Sequence, residues 1–247
     1  GDRLQVLSVM NFTGGEGHAA ITLLLGQGLS LAGYRVLLID LDAQALLTSM
    51  CGFRPDVDFA FGGTCYDALR FRNPVHLRDL ICNTSLHNLD LAPGGIMLSK
   101  LEMELSGFPK TQASPSFHLQ ISAALQTIEA EYDVVLMNCP SWSGLVTFGA
   151  VNASTSMVVP IMPAMLEVAS MSQCLQFTTQ LMATMKEKSG NAQMDFLRFL
   201  IRDHDPSDAS QTQAVAFLRT MLGSDVMTHM LLKSKDASDA SLVHPSL

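Results

Sequence analysis

The stretch Val6–Ala20, VLSVMNFTGGEGHAA, decides the fold. The apolar run Leu4 to Phe12 ends in a glycine-rich turn, Thr13-Gly14-Gly15-Glu16-Gly17-His18, and helix-forming residues follow from Ala19 to about Ala32. Strand, glycine loop and helix in that order build an anion-binding turn. The glycines let peptide N–H groups converge, and the helix N-terminus adds its positive end. Turns that handle nucleotide continue after the last glycine with Lys, which holds the phosphates, and Ser or Thr, which holds Mg²⁺. Here those two positions are His18 and Ala19, followed by Ala20. The scaffold of a nucleotide site is written into the sequence, and its chemical groups are not.

Working outward, strand and helix signals alternate, which points to an α/β fold. Gly33 stops the first helix as a C-cap. Arg35–Leu41, RVLLIDL, is a second buried strand that delivers Asp40 and Asp42 beside the glycine loop. A short helix is expected over Ala43–Met50. Between Cys51 and about Pro115 the pattern loosens. Short helices are expected at Thr64–Phe71 and His76–Asn83, a strand at Leu89–Ala92 before Pro93-Gly94-Gly95, and a helix at Ile96–Leu105. The loop Gly107–Ser116 precedes an amphipathic helix, Phe117–Glu131. Further strands are expected at Asp133–Asn138, Thr155–Ile161, Asp195–Asp203 and Asp225–Met230. The helices between and beside them run to about Asn152, over Ala164–Lys188 and over Ser210–Leu222. The whole chain, 1–247, reads as one domain with a loose tail over 232–247.

Composition excludes several classes. Hydrophobic residues make up 48% and charged residues 15%, enough apolar side chains for a substantial core. No apolar run reaches the roughly 18 residues of a membrane span. The N-terminus shows no basic flank or cleavage site, so a cytoplasmic protein without signal peptide is expected. Cys51, Cys65, Cys82, Cys139 and Cys174 are scattered, without C-x-x-C spacing, and read as reduced thiols rather than metal ligands. The net charge of −8 argues against a general nucleic-acid surface.

Three features in order carry a family resemblance: the glycine loop after the first strand, Leu38-Ile39-Asp40-Leu41-Asp42-Ala43-Gln44, and a buried strand ending in Asn138-Cys139-Pro140. This order resembles the deviant Walker ATPases of the ParA/MinD class, whose motifs read K-G-G-x-G-K-T, D-x-D-P-Q and D-C-P-P. Leu89–Gly94, Met165–Gln173, Gln211–Arg219, Lys233-Ser234 and Ser238-Asp239-Ala240 further resemble the RepA partition proteins of repABC plasmids. The likeness runs from about Leu4 to Leu242. The family also has an N-terminal DNA-binding extension and a last C-terminal helix, which this sequence does not include.

The resemblance implies a three-layer P-loop NTPase-like fold, with a mostly parallel central sheet and helices on both faces. It implies that ATP sandwiches two subunits, that the dimer binds DNA nonspecifically, and that a centromere-bound partner stimulates hydrolysis. Position by position, Gly14, Gly15 and Gly17 match the phosphate-cradling glycines. Asp40 and Asp42 match the second motif, where the latter helps place the attacking water, and Gln44 matches its glutamine. The departures are Thr13 for the signature lysine, His18 for the P-loop lysine, Ala19 for the Mg²⁺-binding hydroxyl, Asn138 for the Walker B aspartate and Ser141 for the second proline.

Phosphoryl transfer rests on positioning and on cancelling charge. The family loop carries about +2 from its two lysines. This loop carries about −1, from Glu16 with a mostly neutral His18. A charge-assisted hydrogen bond is worth roughly 1.5–3 kcal/mol, so losing one lysine contact weakens nucleotide binding by about 10- to 100-fold. Losing the hydroxyl at Ala19 and the charge at Asn138 strips the Mg²⁺ shell of its oxygen ligands. No metal is expected, no cofactor is required, and ATP or ADP binding is expected to be weak.

Each residue also has a plainer reading. Asp40 and Asp42 could be solvated or cap the next helix. His18 could be an ordinary helix residue or a phosphate contact when protonated. Cys139 reads as a buried thiol rather than a nucleophile, and Trp142 as a packing or interface residue. Three functions are weighed: a regulatory pseudo-ATPase working through self-association, an authentic RepA or ParA, or a centromere-binding partner; a slow partition ATPase with Asp42 vestigially active; and a DNA-binding module using Arg198, Arg202, Arg219, Lys233 and Lys235. The first is favoured.

Overall fold

A computed structural model describes residues 3–11, 17–107, 117–141, 144–161, 176, 196–222 and 231–232. Within them, the apolar runs form the strands β1 (Gln5–Asn11), β2 (Val36–Asp40), β4 (Leu89–Ala92), β5 (Val134–Ser141), β6 (Ser156–Ile161) and β7 (Phe196–His204). Two-residue strands, β3 (Cys82–Asn83) and β8 (Leu231–Leu232), complete a sheet ordered β3-β4-β2-β5-β1-β6-β7-β8. All the pairings are parallel except β3 with β4. Near-continuous hydrophobic runs are what a parallel sheet buried on both faces requires.

Side-chain alternation divides the core in two. Leu37, Ile39, Val135, Met137, Met157 and Val159 pack on one face, under the helices α4 (Cys65–Leu69), α5 (Leu98–Ser106), α6 (Phe117–Gln126) and α7 (Leu145–Ala153). Val36, Leu38, Val134, Leu136 and Val158 pack on the other, under α1 (Gly17–Leu31) and α2 (Leu46–Met50). Each is a period-2 set facing a helical layer, so the three-layer architecture follows from the strand sequences. One further turn of helix, α3 (Pro55–Asp58), and the last helix, α8 (Ala209–Leu222), complete the described elements.

α1 ends as its sequence dictates. Gly33 takes φ +98°, its N–H bonds the Ser30 carbonyl, and the Tyr34 N–H reaches back to the Leu29 carbonyl. This double closure needs a left-handed residue at Gly33. Two expectations need correction. The helix read over His76–Asn83 is only a 3₁₀ turn, Leu77–Leu80, and Cys82–Asn83 leaves it to pair with β4. β5 does not stop at Asn138. It runs on to Ser141 through a bulge, because Val9 pairs with Asn138 while Asn11 pairs with Ser141. The extra residue falls at Cys139-Pro140, where proline has no N–H to give the ladder.

Several expectations lie outside the described residues: the loop Thr13–Glu16, most of Gly107–Ser116, Trp142, the helix Ala164–Lys188 apart from residue 176, the strand Asp225–Met230, and the tail beyond Leu232 with Lys233 and Lys235. Leu232, the first residue of the 232–247 segment, pairs with His204 of β7.

Ser156, at the start of β6, is fully buried and its Oγ has no hydrogen-bond partner among the described residues. A buried hydroxyl without a partner contributes desolvation cost and nothing else. Ser156→Ala is therefore expected to leave stability unchanged or raise it by about 1 kcal/mol in urea titration.

Candidate functional site at the carboxyl ends of β1, β2 and β5

The sheet order places β5 between β1 and β2. The chain leaves β1 through α1 toward one edge of the sheet, and leaves β5 through α7 toward the other. Such a reversal opens a crevice at the carboxyl ends of the strands, where ligands bind in open α/β sheets. β1 delivers the glycine loop to this point. Of that loop, Thr13, Gly14, Gly15 and Glu16 lie outside the described residues. Gly17 begins α1, followed by His18, Ala19 and Ala20.

At these strand ends lies a buried polar network. Asp40 ends β2 and pairs in register with Asn138 of β5, and both are fully buried. The Asp40 carboxylate accepts four hydrogen bonds. Oδ1 takes the Asp42 N–H (3.2 Å) and Asn138 Nδ2 (3.2 Å). Oδ2 takes the Thr48 N–H (3.0 Å) and the Thr48 hydroxyl (2.7 Å). Burial pushes the Asp40 carboxyl above its ordinary range, and the bonds from Thr48, Asn138 and Asp42 pull the other way. Asn138 turns its carboxamide oxygen to Thr22, whose Oγ lies 3.1 Å away and also 2.8 Å from the His18 carbonyl. The orientation is forced, because a carboxylate can only accept and so must face the amide nitrogen.

The network also fixes the loop after β4. The Gly94 N–H donates to Thr48 Oγ (2.9 Å). A Cβ at Gly94 would stand 2.8 Å from both Asp40 Cγ and the Asp42 carbonyl oxygen. Glycine is required here for close approach, not for a special dihedral angle.

Asp42 sits at the rim. Its Oδ1 accepts the Gln44 N–H (3.0 Å), and its Oδ2 lies 3.6 Å from His18 Nε2. Both side chains are largely buried, at 13% and 7% exposure. His18 thus meets a carboxylate of its own chain, in the position where a P-loop lysine would serve phosphate. Gln44 is exposed at the tip of this turn, and Ala45 beyond it adopts φ 53° before α2 starts.

The expectations for single residues sort as follows. Asp42, His18, Ala19 and Asn138 do converge. Asp40 is fully buried and accepts four hydrogen bonds, so in this structure it holds Asp42, Thr48 and Asn138 in place. Cys139 is fully buried and its thiol is pushed up to about 12 by burial, which makes it an inert packing group rather than a nucleophile. Thr22, Thr48 and Gly94 are the residues that sequence reasoning missed. Thr22 follows His18 by one helical turn, and Thr48 opens onto Asp40 from the next helix. Those spacings were the available signal.

The fold family implies a magnesium ion here, and the described donors do not fit one. Mg²⁺ needs oxygen ligands in octahedral array. Ala19 has none and is fully buried, the Asn138 oxygen faces Thr22, and Asp40 is saturated. Among the described residues no group of three or more His, Cys, Asp or Glu is placed to hold a metal. Likewise no helix among them is long and apolar enough to cross a membrane.

Comparison with known proteins agrees with this geometry. Residues 4–190 match the family described as "AAA domain". A Rhizobium rhizogenes protein named "Putative replication protein A" is 36% identical over 250 residues, which cover 100% of this chain and 62% of that protein. The chain thus spans less than two thirds of that relative's length. The sporulation initiation inhibitor protein Soj of Bacillus subtilis is 31% identical over 172 residues, covering 69% of this chain and 63% of Soj. Among solved structures, cobyrinic acid a,c-diamide synthase of Mycobacterium smegmatis superposes with a TM-score of 0.77 at 21% identity, covering 97% of this chain and 90% of that one. A plasmid partition protein of Borrelia burgdorferi gives a TM-score of 0.72 at 16% identity, covering 98% of this chain and 96% of the other. These structures share the fold.

Proposed function

The chain belongs to the ParA/MinD family, and we propose that it serves there as a pseudo-ATPase, a regulatory protein of plasmid partition, replication or maintenance that works through protein contacts. The observation that carries this reading is the Thr22–Asn138–Asp40–Thr48 network. It is closed on itself: both Asp40 oxygens, the Asn138 carboxamide oxygen and nitrogen, and the hydroxyls of Thr22 and Thr48 are engaged from within the chain. Asn138 is the residue that makes it complete, since its amide gives Asp40 a donor and Thr22 an acceptor. Ala19 and His18 in place of the hydroxyl and the lysine support this reading, since phosphoryl transfer depends on cancelling charge at the phosphates. The partners that suit such a scaffold are a second copy of the chain, an authentic RepA or ParA, or a centromere-binding partition protein. The relatives named for replication, sporulation control and partition support that setting.

Titration with ATP and ADP, with and without Mg²⁺, together with phosphate release, tests the proposal. Weak binding that Mg²⁺ does not change, and release at background rate, are expected. Magnesium tightening of tenfold or more, or turnover that vanishes in Asp42→Ala, would favour the competing reading of a slow partition ATPase. Co-purification with an active relative or its centromere-binding protein tests the interaction half. If neither associates, the regulatory role falls.

A further inference from the structure

We infer that Glu102 is a positioning residue that couples the candidate site to the outer surface of α5 and α7, making the two respond as one body. Its carboxylate reaches across from α5 to the start of α7, 43 residues away. It accepts the Leu145 N–H, and it accepts the Val146 N–H at 3.0 Å. These are among the N–H groups that a helix start leaves without an intrahelical partner, and a negative charge there is favoured by the helix dipole. Gly144 lets the carboxylate in: a Cβ there would stand 3.2 Å from Oε2 and 3.3 Å from Oε1. α7 otherwise lacks a side-chain cap of its own, since its N-cap is that same glycine.

The contact closes a ring of bonds around the strand ends. Asp40 holds the Thr48 hydroxyl, and Thr48 Oγ holds the Gly94 N–H. One residue on, the Gly95 carbonyl accepts the N–H of Leu98, the first residue of α5. α5 carries Glu102 to α7. The chain before α7 is β5, whose Asn138 returns to Asp40. α5 is further fixed to α4 by the Tyr66 hydroxyl, which donates to Glu104 Oε1 at 2.9 Å. Apart from the chain segment that joins β5 to α7, the links are hydrogen bonds and short covalent steps between described residues, so a displacement of α5 or α7 is passed toward the Asp40–Asn138 pair. The outward side chains of the ring's two helices include Met103, Leu145 and Phe148, at 73%, 43% and 55% exposure. A contact made on that side therefore reaches the site without any nucleotide. The inference stands whether or not the chain hydrolyses ATP.

Amide hydrogen exchange on the full chain tests it. In Glu102→Ala the Leu145 and Val146 amides are expected to exchange about tenfold faster or more. The Gly94 and Thr48 amides should exchange about twofold faster or more. Glu102→Gln keeps one carbonyl acceptor and should fall between, which keeps the test open if the alanine variant does not fold. Thr48→Val should in turn speed exchange at Leu145 and Val146. Acceleration confined to Leu145 and Val146, with Gly94 and Thr48 unmoved, would reduce Glu102 to a local cap and overturn the inference. So would unchanged exchange at Leu145 and Val146.

Discussion

Asn138→Asp is expected to destabilise the protein by about 3–5 kcal/mol at neutral pH, although it restores the residue that the family's Walker B strand carries. The new carboxylate would face Asp40 at the 3.2 Å now spanned by the Asn138 amide, with both groups fully buried. At an effective dielectric of 20 the repulsion at that distance is about 5 kcal/mol. The pair relieves it by keeping one proton between them, which raises the folded-state carboxyl value well above the unfolded one. The sign follows. A raised folded value contributes stability that is fully present below the ordinary carboxyl range and is lost as pH rises through the folded value. Burial already raises Asp40 in the natural chain, so the natural protein has a slope of the same sign and the variant a steeper one. Urea titrations at pH 5 and pH 8 check this. The gap between variant and natural protein should widen at pH 8. An equal gap at both values would mean that Asp40 does not sit as a charged acceptor against Asn138. Added Mg²⁺ should not rescue the variant, because Ala19 still lacks the hydroxyl that would share the ion.

The strand pattern made most of the fold legible. VLLID and DVVLMN are continuous hydrophobic runs ending in polar residues, and only a sheet covered on both faces has use for them. The glycine loop between Phe12 and His18 placed the site at the end of β1, and the register of β2 with β5 brought Asp40 and Asn138 together as their positions in the runs implied. What stayed hidden was the division of labour between the two aspartates. Asp40 and Asp42 look equivalent in D-x-D, two residues apart at a strand end. Alternation separates them: Asp40 turns inward under α1 and α2, and Asp42 lies past the strand, where the turn exposes it to His18. That distinction depends on which residue ends the strand, and strand ends are the hardest boundary to read from pattern alone.

Thr22, Thr48 and Glu102 were hidden for another reason. A threonine inside a helix usually bonds its own backbone or water, and a glutamate in an amphipathic helix usually faces solvent. Here each is spent on a partner brought near by the sheet: Asn138 is 116 residues from Thr22, and Leu145 is 43 from Glu102. No local signal encodes such a pairing. The His76–Asn83 segment failed more simply. Its apolar spacing suits a helix, but pairing with β4 at the sheet edge satisfied Cys82 and Asn83 better than another helical turn.

Gly94→Ala carries the second large expected effect, a loss of about 3 kcal/mol from overpacking. The added methyl would press on Asp40 Cγ and on the Asp42 carbonyl, each at 2.8 Å. Neither can yield cheaply. Asp40 is pinned by four hydrogen bonds, and the Asp42 carbonyl is backbone that also accepts the Ala45 N–H. Gly95→Ala is the control. There the contacts are the Thr64 Cγ2 at 2.9 Å and Cβ at 3.7 Å; Thr64 is buried and caps α4, but no backbone atom and no carboxylate held by four hydrogen bonds is pressed, so the loss should be smaller. The two glycines are neighbours in sequence, so any general effect of stiffening the turn applies to both. A double-mutant cycle locates the strain. In an Asp40→Ala background the Cγ contact is gone, and Gly94→Ala should cost less by about 1 kcal/mol or more. Urea denaturation of the four proteins measures it. If Gly94→Ala costs no more than Gly95→Ala, the close seat of the Gly94 turn on Asp40 is not what holds this corner of the site.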